Sequence, residues 1–238
     1  DRPTVTLLGE MFPADPMNNG AILEPLGLAT GQVVPCREWR ELYAALDCGA
    51  VAAIHPFYTA AVREFEDANK PIIGSAPVGV EGTNSWIDRV GDTFNIAKKI
   101  IGEAKQKILP QIQKSLDDKK INNKITVSGY EGSELIVART LIEAGAEVPY
   151  VGTACPKTKW STEDKDWLES RGVFVKFRAS LEDDISAVKS VNPDLAIGTT
   201  PVVQKAKELG IPSLYYTNLI SARPIMGVAG AGSLAEVI

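Results

Sequence analysis

Val51-Ala52-Ala53-Ile54-His55-Pro56, followed by a helix-period segment and then Lys70-Pro71-Ile72-Ile73-Gly74, is echoed later in the chain. The echo is Leu195-Ala196-Ile197-Gly198-Thr199-Thr200-Pro201, another helix-period segment, and Ile211-Pro212-Ser213-Leu214. In each copy a short apolar run of strand type ends in a polar turn, a helix crosses back, and proline announces the next apolar run. Strands that alternate with crossing helices build parallel sheets, so the fold class is α/β with two related halves.

Working outward from the first copy, strands are expected at Val5–Leu8, Val33–Val34, Val51–Ile54 and Ile72–Ile73, with helices near 16–26, 38–46 and 60–68. Asp15 can cap the first helix, Pro16 suits its first turn, and Gly27 is placed to stop it. Outward from the second copy, strands are expected at Ile125–Ser128, Val148–Val151, Val173–Phe177, Leu195–Ile197 and Ser213–Tyr216. Helices fall near 133–144, 163–170, 182–191 and 202–209, and Ser161 with Asp164 and Ser180 with Asp183 read as capping boxes. Residues 93–120 form a Lys-rich helical connection that Pro110 should kink or break. The expected organisation is two Rossmann-like domains, each a mostly parallel four- to five-stranded sheet flanked by helices. The first covers 1–119, including a helical connector over about 90–119, and the second covers 120–238.

Composition narrows the class. The 238 residues suit one large or two small domains of roughly 150 residues or fewer. Hydrophobic residues at 45% and charged residues at 23% are globular values that exclude a disordered or coiled-coil chain. The longest apolar runs, such as Ala50 to Ile54, fall far short of the ~20 residues of a membrane helix. Asp1-Arg2-Pro3 leads straight into a strand-like run instead of a signal peptide, and the absence of an initiator Met reads as a fragment or a processed chain. The net charge of -5 argues against nucleic acid as a partner. Cys36, Cys48 and Cys155 form no CxxC motif and are odd in number, which points away from a disulfide framework and toward a reducing cytoplasm.

In open parallel sheets ligands sit beyond the carboxyl ends of the strands, so the turns after the strands carry the chemistry. Gly129-Tyr130-Glu131-Gly132-Ser133 follows a strand and opens a helix, and two readings stand: a structural turn, or an anion site built from backbone amides. The glycine-rich tail from Gly227 to Ser233 is open in the same way between a flexible loop and a ligand lining. His55, the single histidine, lies where a strand ends, a position for a proton donor or for a hydrogen-bonded interior imidazole. Phe57 and Tyr58 beside it could line a flat hydrophobic ligand. The three cysteines lack the spacing of a cluster motif and read as buried inert thiols. Glu182-Asp183-Asp184 and Asp117-Asp118 read as helix ends or solvated faces, and no metal site is expected.

Four stretches are more specific. Leu8-Gly9-Glu10-Met11-Phe12-Pro13-Ala14-Asp15-Pro16, Val34-Pro35-Cys36-Arg37-Glu38-Trp39, Ala53-Ile54-His55-Pro56-Phe57-Tyr58-Thr59 and the run from Thr217 to Ser233 resemble the Y-subunit family of chlorophyllide a reductases. That family belongs to the nitrogenase component 1 superfamily, whose chains carry three α/β domains. The resemblance extends from about residue 4 to the end and matches the second and third of these domains. It implies reduction of the C7=C8 double bond of a chlorin ring to a bacteriochlorin in bacteriochlorophyll biosynthesis. It also implies a Z subunit in a heterotetramer, and an X subunit iron protein that hydrolyses ATP with Mg and supplies electrons. A 4Fe–4S cluster would sit in the full complex with its ligands outside this chain, which alone would then be inactive.

The same resemblance suggests site residues. A cysteine and a histidine hold the metal cofactor in the nitrogenase α chain; Pro56 and Met226 align with them here, which suits a macrocycle cavity. His55 becomes the candidate proton donor. Met11, Phe12, Phe57, Tyr58 and Met226 would line the chlorophyllide pocket, with Arg223 meeting a propionate. Two other functions remain open: a scaffold for assembling a metal cofactor, and a two-lobed small-molecule binding protein without catalysis.

Overall fold

The computed structural model describes residues 2–9, 16–55, 58–221 and 223–238. In chain order the first half runs β1 (Thr4–Leu8), α1 (Pro16–Leu23), β2 (Ala29–Val34), α2 (Trp39–Ala44), β3 (Ala50–Ala53), α3 (Thr59–Asp67), β4 (Ile72–Gly74), α4 (Gly79–Thr93) and α5 (Lys98–Asp117). The second half begins with β5 (Lys124–Gly129), α6 (Glu134–Glu143), β6 (Glu147–Thr153), α7 (Thr162–Glu169) and β7 (Phe174–Phe177). It continues with α8 (Leu181–Val191), β8 (Leu195–Gly198), α9 (Thr200–Glu208), β9 (Ser213–Tyr215), α10 (Tyr216–Ser221) and α11 (Gly227–Ala231).

Each predicted strand is present, and all pairings are parallel. The first sheet has the order β2-β1-β3-β4 and the second β7-β6-β5-β8-β9. In both, the order reverses beside the first strand, between β1 and β3 and between β5 and β8, which is where open parallel sheets leave a crevice for ligands. The central strands β3 and β8 are buried along their whole length, as strands covered on both faces must be.

Two expectations are corrected. No helix is expected between Ile73 and the connector near residue 90, yet α4 begins at Gly79. Gly79, Gly82 and Gly91 weaken its helical signal, but packing requires small residues there: a Cβ on Gly91 would lie 2.3 Å from Ile101, and one on Gly82 would lie 3.2 Å from Arg139. Nor does Pro110 break the connector, for α5 runs through it. Pro110 and Gln106, whose carbonyl loses its partner, are both exposed, so water can satisfy that group. Meanwhile Ile101, Ala104, Ile108, Ile112 and Leu116 keep a continuous buried stripe on the other side. Each fully buried large aliphatic contributes about 1.5–3 kcal/mol, which outweighs one lost hydrogen bond.

One apolar cluster runs from Val5, Leu7 and Ala52 of the first sheet through Trp86 and Val90 of α4 to Ile125 and Val127 of the second. The glycine-rich tail is packed: α11 lies against α1, α4 and α5, the Gly227 amide donates to Pro77 O at 3.0 Å, and a Cβ on Gly230 would meet the Ile225 backbone at 2.2 Å.

A polar seam ties α4 and the end of β4 to α6 and α7. Arg139 Nη1 donates to Asp164 Oδ1 at 2.6 Å, and Ser75 Oγ lies 3.1 Å from both Asp164 oxygens. Arg89 pairs with Glu163, and Arg171 Nη2 with Glu81 Oε1 at 2.8 Å. Trp167 donates to Glu81 Oε2 at 2.7 Å while its ring lies 3.6 Å below the Arg171 guanidinium. Ser161 therefore starts no capping box: Asp164 turns inward to Arg139 and Ser75, whereas Ser180 and Asp183 do form one on α8.

Candidate functional site

His55 lies two positions beyond the end of β3, and Glu131 two positions beyond the end of β5. Both leave their sheets at the point where strand order reverses, so the two crevices bring them face to face although 76 residues separate them. His55 Nε2 and Glu131 Oε1 are 2.7 Å apart, with the His55 side chain 3% exposed and that of Glu131 16%.

The hydrogens of this cluster can be assigned. Glu131 Oε2 accepts from the Ser133 amide at 3.1 Å and from the Ser133 hydroxyl. Since a serine has one hydroxyl hydrogen, Tyr216 must donate to Ser133 Oγ across their 2.6 Å contact. An ionised carboxylate only accepts, so His55 carries a hydrogen on Nε2. Burial pushes the Glu131 carboxyl up, but the bond to His55, its charge and the Ser133 donors together outweigh burial and hold it below the usual range. Burial raises the Tyr216 phenol well above its ordinary value.

The loop that presents Glu131 is held from inside. Glu134, fully buried at the start of α6, accepts from the Glu131 amide at 2.9 Å, the Gly132 amide at 2.8 Å and Thr153 Oγ1 at 2.8 Å. Of the two readings left open for this loop, the structural turn holds, because the chain's own carboxylate takes two of its amides. Burial, with the neighbouring Glu131 charge, pushes the Glu134 carboxyl up to about 7. Gly132 has φ 111°, and a Cβ there would lie 2.8 Å from Cys155 Sγ and 2.9 Å from His55 Cε1. Only glycine lets the loop pass between the thiol and the imidazole.

Of the residues singled out from sequence, His55 and Tyr58 come together, their rings packed edge to face at 5.4 Å. Met226 precedes α11 within the apolar core, where Asn19 Nδ2 approaches its sulfur at 3.5 Å. Arg223 is half-buried, with Nη1 on Ser233 O at 3.2 Å. Met11, Phe12 and Phe57, like Pro56, lie outside the described residues.

Glu131, Ser133 and Tyr216 were not singled out as functional; the one signal was an acidic side chain inside a glycine loop at a strand end. The cysteine reading holds for Cys155, which is buried with its thiol pushed up to about 12 by burial and the Glu134 charge. It is corrected for Cys36 and Cys48, which lie in the short, partly exposed segments flanking α2 and are only half-buried. The acidic run is corrected at Asp184, which turns inward to accept from Tyr150 at 2.8 Å. Among the described residues no three His, Cys, Asp or Glu side chains are grouped to hold a metal ion, so this set does not fit an iron–sulfur cluster. Nor is any described helix long and apolar enough to cross a membrane.

Comparison with known proteins places this geometry in a family. The family described as Nitrogenase component 1 type Oxidoreductase matches residues 1–238. The chlorophyllide reductase 52.5 kDa chain of Cereibacter sphaeroides is 67% identical over all of this chain, which covers 47% of that relative. Its namesake from Rhodobacter capsulatus is 66% identical over the whole chain, with 48% of the relative covered. The chain thus spans about half the length of these curated relatives. A solved nitrogenase chain, titled "Nitrogenase Cp1 at pH 5", superposes on the whole chain with a TM-score of 0.77 at 13% identity, over 56% of its own length, a likeness of fold alone.

Proposed function

The chain belongs to the nitrogenase component 1 type oxidoreductase family, and from that premise we propose that it is part of the catalytic component of a chlorophyllide a reductase, of the Y type. The reaction is reduction of the C7=C8 double bond of the chlorin ring to a bacteriochlorin. Support comes from identity of 66–67% to two chlorophyllide reductase chains along the full length of this one. In this reading the partners are a Z-type subunit and an ATP-dependent iron–sulfur protein of X type that delivers electrons. A cluster held outside this chain's described residues supplies that redox chemistry when bound.

Saturating a carbon–carbon double bond consumes two electrons and two protons. This chain's share is the protein side of that balance: to hold the ring, keep water out and deliver a proton at a fixed place. The observation that carries the reading is His55, the single histidine, buried at the mouth of the crevice and paired with a carboxylate from the opposite lobe. A general acid must hold its proton out of bulk water and beside the ligand site, and the buried contact with Glu131 keeps the imidazole there. Tyr58 packs against the imidazole and offers an aromatic edge to a planar ring. Met11, Phe12, Phe57 and Met226 would complete the apolar lining. Arg223, whose Nε is buried without a protein partner, would turn toward a propionate.

The test uses the full-length protein with its candidate partner subunits. Chlorophyllide, ATP and a reductant are supplied, and absorbance is followed toward the longer wavelengths of a bacteriochlorin. Accumulation of that product supports the assignment. Pigment that binds reversibly and is never reduced would make this a binding protein instead.

A further inference from the structure

We propose that Glu131 is the positioning residue for His55: across the cleft it fixes the imidazole's tautomer and orientation, while Ser133 and Tyr216 hold the carboxylate in place. This inference rests on the reading that His55 delivers a proton to the ring.

The geometry supports a positioning role in three ways. Glu131 uses its two oxygens separately, Oε1 on His55 Nε2 at 2.7 Å and Oε2 on the Ser133 amide and hydroxyl, so the carboxylate cannot rotate without losing a bond. Tyr216 donates into Ser133 from α10, in the segment after β9. A loop anchored by Glu134 thus meets the start of α10, and the donors from Tyr216 through Ser133 and from the imidazole converge on the Glu131 carboxylate. Finally, Glu131 comes from the second sheet and His55 from the first, so the pair assembles only when the two lobes are in register. A carboxylate behind an imidazole fixes which nitrogen carries the proton, a detail no apolar neighbour can supply.

Among the described residues, ionisable groups reach the pair from several elements. Glu131 and Glu134 come from the β5–α6 turn, and Cys155 follows β6 beside Gly132. Tyr216 opens α10, and Tyr58 precedes α3. Both thiol and phenol are pushed upward by burial, so they stay neutral near pH 7, and among the described residues the carboxyl groups named beside the pair are Glu131 and Glu134.

The experiment uses the full-length complex with Glu131→Gln, Glu131→Asp and His55→Phe. The tautomer and orientation of His55 are read from the imidazole 15N shifts of histidine-labelled protein, with the H55F spectrum as the blank that identifies the resonances. Loss of the carboxylate in Glu131→Gln is expected to lower the share of the form with its hydrogen on Nε2. Turnover of pigment should fall about tenfold or more while KM for pigment stays within about twofold, and Glu131→Asp should restore part of both. Imidazole shifts and kcat unchanged in Glu131→Gln would overturn the positioning role. If Glu131→Gln fails to assemble, Ser133→Ala gives the same comparison, with smaller changes in the same direction expected and no change refuting it. Unchanged turnover in H55F would overturn the proton-donor reading instead, and the 15N shifts tell the two failures apart.

Discussion

The lobes of this molecule meet at two polar places that obey different rules. Around α4, α6 and α7, Asp164 is engaged by Arg139 and Ser75, Glu81 by Arg171 and Trp167, and Glu163 by Arg89. Charges of both signs are matched there, and the guanidiniums of Arg139 and Arg171 also rest on the Trp167 ring. At the mouth of the crevice the described residues bring together an imidazole and a carboxylate, beside a thiol, an aromatic edge and a glycine. The first place is arranged to stay put, because moving Asp164 would leave the buried Arg139 guanidinium without its carboxylate. The second joins an imidazole and an ionised carboxylate on loops that end strands. Matched charges hold the frame, and the imidazole–carboxylate pair is where the proposed chemistry would sit.

The largest expected effect separates the two at once. His55→Phe in the full complex should lower turnover by about 10²–10⁴-fold, the usual contribution of a general acid. Its thermal melting should change far less than that of a variant in the α4–α6–α7 seam. Equal damage to melting from both would erase the contrast.

Next comes Asp164→Ala, which strands the buried Arg139 guanidinium, 1% exposed, without its 2.6 Å partner. A loss of about 3–5 kcal/mol in unfolding free energy is expected. Denaturant titration measures it, while turnover of the remaining folded complex stays near normal. A loss under about 1 kcal/mol would mean that the seam holds little.

A smaller effect is electrostatic. Glu134 keeps its proton to about pH 7 when folded, against an ordinary carboxyl value of 4.5 when unfolded. Between those values the folded state binds more protons, so stability falls as pH rises through about 7 and recovers as pH drops. Lowering the pH from 8 to 6 should therefore add about 1 kcal/mol, or about 2–4 °C in melting temperature. Asp184, pushed up to about 6, adds a lesser part of the same sign. Glu134→Gln should lose most of the slope and Asp164→Ala should keep it; a full slope in Glu134→Gln would place the titrating group elsewhere.

The mildest test concerns thiols. Cys155, buried with its thiol pushed up to about 12, should resist iodoacetamide at pH 8, whereas half-buried Cys48 should be alkylated. Mass spectrometry of the digested protein reads this directly, and rapid labelling of Cys155 would show that the crevice opens further than the structure implies.

Much of this frame can be read from the chain. Val51–Ala53 and Leu195–Gly198 are continuous apolar runs because both faces of a central parallel strand are covered, and the residues after them must lie at the ligand edge. That reasoning placed His55. It failed for α4, whose glycines serve close helix contacts and so suppress the local helical signal. It also failed at Pro110, where the tertiary stripe on α5 outweighs the local defect. Asp164 looked like half of a capping box because local spacing cannot reveal an arginine 25 residues away.

Sequence alone therefore determined the alternation of strand and helix, the two parallel sheets and the strand end on which the histidine stands. Periodicity is a local property, and it dictates which face of each element must be covered. What the tertiary structure decided is who faces whom: Glu131 against His55, Tyr216 behind Ser133, and Glu134 beneath the loop. These partners lie on separate strands and loops, and only the packing of one lobe on the other sets the ångström-scale distances that bring a carboxylate to an imidazole.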